Sequence, residues 1–197
     1  MKKTFGIVII AAIAVVVLWI IGGQRKMVAQ DENVQKAWAQ VETVYQRRAD
    51  LVPNLQSIVA GAANYERGTL TEVIKARAEA SSVVVDASEL TEENVAAFQK
   101  AQDHLTDALN RSIQLTVERY PELTATAAFR DFQAQYEGCE NRIAVERKNY
   151  TEAVQKYNTY IRQFPNNIIA NILGFQKKGQ FTASEGAENA PSVNFEF

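Results

Sequence analysis

Residues 123–164 read LTATAAFRDFQAQYEGCENRIAVERKNYTEAVQKYNTYIRQF, without a proline and with a single glycine, Gly138. Phe129, Tyr136, Ile143, Tyr150, Tyr157 and Phe164 recur every seven residues, and Phe132, Cys139, Glu146, Ala153 and Tyr160 follow the first five by three. Apolar or amphipathic residues at the a and d places of a heptad describe one face of a helix. At ~1.5 Å per residue this helix is about 60 Å long. Its other faces carry Arg130, Asp131, Glu137, Glu140, Arg147, Lys148 and Lys156. An aromatic stripe of this length is not stable facing water, so the helix requires partners.

Proline and glycine indicate where those partners lie. Prolines stand at 53, 121, 165 and 191, and Gly138 is the one glycine between Gly68 and Gly174. Proline is tolerated in the first turn of a helix but not in its interior, so the punctuation predicts further helical segments over 24–51, 54–85 and 92–119. Each carries an apolar stripe at helical spacing: Val34, Trp38, Val41, Tyr45 and Val52; then Leu55, Ile58, Ala62, Tyr65, Leu70, Val73 and Ala80; then Phe98, Ala101, Leu105, Leu109, Ile113 and Val117. Small residues facing large aromatics suit close packing. Thr91 before Glu92-Glu93 predicts an N-cap with acidic first-turn residues. Tyr120-Pro121-Glu122-Leu123 predicts a sharp turn, while Ser82-Val83-Val84-Val85 is locally β-prone. Beyond Pro165, Asn166-Asn167 predicts the cap of a short helix over 168–173, closed by Gly174. The stretch 179–197 is rich in Ala, Ser, Asn and Glu, and reads either as a disordered tail or as a strand docking through Val193, Phe195 and Phe197.

At the other end, Phe5 to Ile21 contains neither a charge nor an amide, and Gly22-Gly23 extends the run. Residues 5–23 as a helix span about 28 Å, against a hydrocarbon core of roughly 30 Å. Lys2-Lys3 and Gln24-Arg25-Lys26 flank the run, and Trp19 stands near one end, where interfacial aromatics belong. The rival is a cleaved signal peptide. The run is longer than a signal's apolar region, and Ile21-Gly22-Gly23-Gln24 is a poor cleavage site, which favours a retained anchor. Basic residues are nearly balanced across it, with Lys2 and Lys3 on one side and Arg25, Lys26 and Lys36 on the other. The short, closely charged head favours a cytoplasmic N-terminus and an exported domain. Because no proline separates the anchor from residue 53, the transmembrane helix is expected to run directly into the first bundle helix as a rigid stalk.

Composition narrows the function. The formal charge of −2 lacks the basic footprint of a nucleic-acid binder, and residues 24–197 alone carry −4. One cysteine, Cys139, excludes an intrachain disulfide and a cysteine-based zinc cage, and one histidine, His104, excludes a multi-histidine metal site. No G-x-S-x-G, P-loop, G-x-G-x-x-G or H-E-x-x-H pattern occurs. Cys139 at a d place reads as a packed thiol, and His104 as a surface or groove-lining residue. Carboxylates are spaced as solvated helix faces are. These observations predict no enzyme, cofactor or metal.

Polar residues inside the patterned zones are the informative anomalies. Arg47, Arg48 and Asp50 precede the junction at Pro53-Asn54; Asn141-Arg142 stands beside Ile143; Tyr157-Asn158 and Phe164-Pro165 lie near the end of the aromatic helix. With Trp38 these are the candidate structural or interaction residues. They are expected either to cap helix ends and cross-link the bundle or to line a partner-binding groove. Arg48 and Asp50 are expected to pair or cap locally.

At these residues the chain resembles the LemA family. The strings that carry the resemblance are Ala37-Trp38-Ala39-Gln40-Val41, Arg47-Arg48-Ala49-Asp50-Leu51-Val52-Pro53-Asn54-Leu55, Tyr120-Pro121-Glu122-Leu123, Glu140-Asn141-Arg142-Ile143-Ala144, Tyr150-Thr151-Glu152-Ala153-Val154, Tyr157-Asn158-Thr159-Tyr160-Ile161, Phe164-Pro165-Asn166 and Gly174-Phe175. The likeness covers about the whole chain, with weaker agreement in the middle helices and a departure at Gly138-Cys139. It implies a single-pass protein of the bacterial cytoplasmic (inner) membrane with a long-helix bundle, and no enzyme activity or cofactor.

The reading is therefore all-α: an N-terminal transmembrane helix (1–23) leading into an elongated antiparallel four-helix bundle with a short C-terminal helix (24–178), then an extended or disordered tail (179–197). The expected partners are the lipid bilayer, through residues 5–23, and further copies of the chain as a homo-oligomer; nucleic acid is not one. The function is a membrane-anchored scaffold that self-assembles at the cell envelope, or an adaptor presenting its helical surface to another envelope or quality-control protein. The aromatic stripe discriminates between them. Consumed within one bundle, it favours the adaptor; left over as apolar surface, it favours self-assembly.

Overall fold

Nothing in residues 2–50 interrupts a helix: there is no proline, and Gly22-Gly23 costs only about 1 kcal/mol per glycine. In the computed structural model, which describes residues 2–60 and 65–182, α1 (Lys2–Asp50) accordingly runs unbroken for 49 residues. It passes from one physical regime to another. Phe5, Ile10 and Leu18 are each about 70% exposed, and the large side chains between them are exposed on every side. From Met27 onward burial becomes periodic, with Val34, Trp38, Val41 and Tyr45 facing inward. The apolar run at residues 5–23 and the first bundle helix are thus one continuous helix.

The remaining helices are α2 (Val52–Val59), α3 (Arg67–Ser82), α4 (Glu92–Arg119), α5 (Pro121–Thr124), α6 (Ala127–Arg162) and α7 (Asn166–Leu173). Thr91 caps α4 by accepting from the Asn94 N–H at 3.1 Å, with Glu92 and Glu93 in the first turn. Thr126, a cap not expected from the sequence, does the same for α6 by accepting from Phe129 N–H at 3.2 Å. Two antiparallel pairings dominate, α1 along α6 and α3 along α4. Lys26 lies over the Tyr160 ring and Val44 O meets Cys139, which fixes the opposite directions of α1 and α6. Gln102 reaching Ala80 O and Tyr65 reaching Ser112 do the same for α3 and α4.

Several expectations need correction. The segment 54–85 is not one helix: α2 ends at Val59, Tyr65 and Glu66 are non-helical, and α3 starts at Arg67. The heptad stripe also drifts. Phe129, Phe132, Tyr136, Ile143, Tyr150 and Tyr157 are buried, but Glu146, Ala153 and Tyr160 at d places are only half-buried, while Val154 and Ile161, one place later, are buried. A straight α-helix falls behind a 3.5-residue repeat by ~20° per heptad, enough to hand the inner position from d to e along α6. Phe164 lies beyond the last helical residue and is 81% exposed. In α4 the inward place near the end belongs to Thr116, leaving Val117 exposed. Asn166-Asn167 does not cap α7, whose N-cap is Pro165 without a side-chain bond. Gly174 does end α7, at φ +77°, the left-handed conformation that favours glycine.

The core has two clusters. One, on the side of the apolar extension, holds Met27, Trp38, Tyr45, Phe98, Tyr150, Tyr157 and Ile161. The other, at the far end, holds Leu55, Tyr65, Val73, Ala76, Leu105, Leu109, Phe132 and Tyr136. Half-buried Cys139 packs against both, rather than being fully enclosed as a d-place thiol would be.

Candidate functional site

The two clusters meet at Arg48, whose side chain is 1% exposed. Its Nη2 donates to the Gln102 carbonyl and to Gln102 Oε1, both at 2.8 Å, and its Nη1 donates to Thr106 Oγ1 and to Glu140 Oε1 at 3.2 Å. The guanidinium also lies over the Tyr45 ring, 4.9 Å from its centroid. One fork therefore joins α1, α4 and α6, a task suited to arginine's planar donor set. Gln102 extends the junction to α3 by donating to Ala80 O at 3.3 Å. The expected local pairing of Arg48 with Asp50 is corrected: Asp50 is exposed and accepts from Gln46 Nε2 at 2.9 Å. The carbonyl of Ala49 at the end of α1 accepts instead from Arg77 Nε of α3 at 2.9 Å. Arg47, Pro53 and Asn54 are exposed, with Pro53 in the first turn of α2.

The second arrangement is a strap, residues 174–182, that returns from α7 across the bundle. Two side-chain amides hold it as a neighbouring strand would. Asn158 donates to Lys178 O and accepts from Lys178 N–H, each at 2.9 Å. Gln99 donates to Thr182 O and accepts from Thr182 N–H, each at 3.0 Å. Before the first clamp, Tyr157 donates to Gln176 O at 2.9 Å; between the two, Tyr150 donates to Gly179 O at 2.9 Å, and Gly179 N–H donates to Leu90 O at 2.7 Å. Gly179 has no room for a side chain: a Cβ would lie 2.6 Å from Thr91 O and 2.8 Å from Glu92 Cα. Phe181 then closes the aromatic core, stacked on Trp38 at 6.0 Å, edge-on to Tyr150 at 5.4 Å, and under the Arg147 guanidinium at 4.7 Å. Residues 179–182, expected in the tail, thus pack on the bundle; Val193, Phe195 and Phe197 lie outside the described residues.

The titratable groups are bent to structure. Burial pushes the Tyr150 phenol up, and burial together with nearby Asp31 takes Tyr157 to about 12. The Cys139 thiol is raised by burial and by Glu140, against the pull of Arg48, Arg47 and Arg142, and it donates to Val44 O at 3.4 Å. A raised thiol pKa depletes the nucleophilic thiolate. His104 stands at the surface, 2.8 Å from Glu79. A polar groove of about 490 Å³ lies beside the strap, between Asp31, the turn at Ser88–Thr91 and Lys178, whose ammonium is 3.2 Å from Asp31.

Of the candidate residues, Trp38, Tyr157 and Asn158 join the strap site and Arg48 forms the junction. Arg47, Asp50, Pro53, Asn54, Asn141 and Arg142 stay on the exposed surface, apart from both. Phe164 and Pro165 belong to the reversal before α7. Sequence reasoning missed Gln99 and Gln102, 5% exposed each. Their only signal was polar side chains in register with Phe98 and Leu105.

The strings that carry the resemblance include some of the residues that make these two arrangements, Trp38, Arg48, Glu140, Tyr150, Tyr157 and Asn158, while Gln99, Gln102, Gly179 and Phe181 lie outside them. Comparison with known proteins agrees. The chain is 24% identical over 164 residues to Protein LemA of Metamycoplasma hominis, covering 83% of this chain and 71% of that protein. It is also 30% identical over 87 residues to the magnetosome proteins MamQ 1 and MamQ 2 of Paramagnetospirillum magneticum, covering 44% of this chain but only 31% of either relative. The family match itself extends over residues 37–195, from the helix that carries Trp38 through the strap, and on that match this chain belongs to the LemA family.

Proposed function

We propose that this protein is a non-enzymatic, membrane-anchored adaptor. Residues 5–23 tether it, and the bundle is held out on α1 to present its helical surface to another protein of the envelope. The observation that carries this reading is where the aromatic stripe goes. Phe129, Phe132, Tyr136, Ile143, Tyr150 and Tyr157 are all buried within a single chain, so the stripe is not left over to drive assembly. Because the apolar run and buried Trp38 lie on one unbroken helix, the mounting is stiff rather than a flexible tether. The raised phenols of Tyr136, Tyr150 and Tyr157 and the Cys139 thiol donate to backbone or amide acceptors, as structural groups do, which supports a role without catalysis.

A self-assembling scaffold is the second reading. Its support is the anchor, exposed on every side, where Ala11, Ala12 and Ala14 allow close approach of neighbouring helices. Light scattering on the full-length protein in detergent, combined with cysteine crosslinking at Val84 and Val145 on the bundle surface, separates them. The adaptor predicts one chain per micelle and no self-crosslinks in membranes. Oligomers crosslinked through either bundle position would replace it with the scaffold.

A further inference from the structure

Among the described residues, exposed large apolar side chains outside residues 5–23 are few and scattered, with one exception. Val28, Ile74, Val84, Val117 and Val145 stand singly, whereas Phe164, Ile168, Ile172 and Leu173 are 81, 49, 77 and 48% exposed within ten residues. Solvated surfaces tolerate the former; the latter is the kind of concentration that marks an interaction site. In α7, Ile168 and Ile172 lie four residues apart on the outer face, while Ile169 and Ala170 are buried against the bundle.

Its place in the fold identifies what covers it. A Cβ on Gly23, the last residue of the apolar run, would lie 2.9 Å from Ile169 Cδ1. Lys26 covers Tyr160, two residues before α6 ends, and by Gln176 the chain has turned back to meet Tyr157. α7 is therefore the reversal at the anchor end of the bundle, at the level where α1 leaves its apolar stretch. From Gln163 to Gln176 there is no charged residue, and the stretch is bounded by Arg162 and by the exposed Lys177, with Arg25 and Lys26 beside it on α1. A short apolar face rimmed by basic residues matches the boundary between acyl chains and anionic headgroups.

We propose that α7 and Phe164 form a foot that inserts shallowly into the same bilayer that holds residues 5–23, so that the bundle stands on two membrane contacts instead of one. This rests on the reading of residues 5–23 as a membrane span. Two contacts set the tilt and rotation of the bundle, which a single helix leaves free.

The test uses the full chain in phosphatidylcholine–phosphatidylglycerol vesicles, in a Cys139→Ser background, with an environment-sensitive fluorophore on Ile172→Cys, Phe164→Cys, Val84→Cys or Ile13→Cys. Nitroxide lipids labelled high or low on the acyl chain serve as quenchers. The foot predicts blue-shifted emission at 172 and 164, quenched several-fold more by the shallow nitroxide than at 84, and deep quenching at 13. Quenching at 13 with none at 172 and 164 overturns the foot and leaves the anchor standing. Absence of quenching at 13 overturns both. A blue shift at 172 that no nitroxide lipid quenches means that protein covers α7, and also overturns the proposal.

Discussion

The two halves of the bundle are closed by different means. The half beside the apolar end of α1 gathers large rings around Trp38, with Phe98 edge-on, Tyr150 tilted and Phe181 stacked, and needs the strap 174–182 to complete them. The far half brings α3 and α4 together over alanines, Ala76, Ala80 and Ala108. Its buried hydroxyls, Ser112 and Thr116, are met by Tyr65 Oη at 2.9 and 3.2 Å. The rings around Trp38 make a wide core that the helices leave open to residues 174–182; where alanines line α3 and α4 the backbones approach closely, and the rings of that half, Phe132 and Tyr136, stack on each other within the bundle. The near half is therefore closed by contacts as far apart as Gln99 and Thr182, 83 positions, and the far half by contacts of intermediate span such as Tyr65 to Ser112, 47 positions. Arg48 is where the two solutions are tied together.

The severest way to break both halves is alkali. Tyr150 and Tyr157 in the near half and Tyr136 in the far half donate phenolic protons to Gly179 O, Gln176 O and Asn110 Oδ1. Burial raises all three above the ordinary 10.0, Tyr157 to about 12. A folded pKa above the unfolded one contributes stability that is complete below pH 10 and is lost as pH rises through about 12. Circular dichroism should show unfolding in that window, with Tyr157→Phe moving the midpoint upward. A bundle that ionises its tyrosines while fully helical would contradict this.

Next is the tie itself. Arg48→Met keeps most of the volume but leaves buried Gln102 Oε1 without its donor and Glu140 without its cation, and should cost about 3 kcal/mol in denaturant unfolding. Because the junction joins the halves, the loss should also split one transition into two, and a single unchanged transition would show that they do not depend on it. Gly179→Ala should be milder, about 2 kcal/mol of overpacking against the Thr91–Glu92 backbone. Its effect should be confined to the near half, as faster hydrogen exchange at Gly179 and around Tyr150. Equal loss of protection around Tyr65 would remove the distinction between the halves. The smallest effect expected is that of Tyr65→Phe, about 1 kcal/mol, since Thr116 Oγ1 still donates to Ser112 O at 2.8 Å. This loss should leave strap protection untouched.

Local chemistry and periodicity determined much of this protein from the sequence alone. The run Phe5–Ile21 makes an apolar helix by its own composition, Thr91 caps α4 through an atom three residues away, Gly174 ends α7 by its freedom at positive φ, and the stripe on α6 announces a buried face. Each of these is settled within a few turns of chain. What only the tertiary structure decided is which polar groups meet. Arg48 reaches Glu140 across 92 positions, Gln99 holds Thr182 across 83, and Phe181 completes the rings around Trp38 from a stretch read as tail. No periodicity reports such pairings, because a hydrogen bond between distant residues depends on where two helices end up, and that is set by the packing of every stripe at once. The same holds for the break between α2 and α3 and for the exposed face of α7. Their residues look like those of neighbouring helices, and only their position, at the far end of the bundle or beside Gly23, gives them a different role.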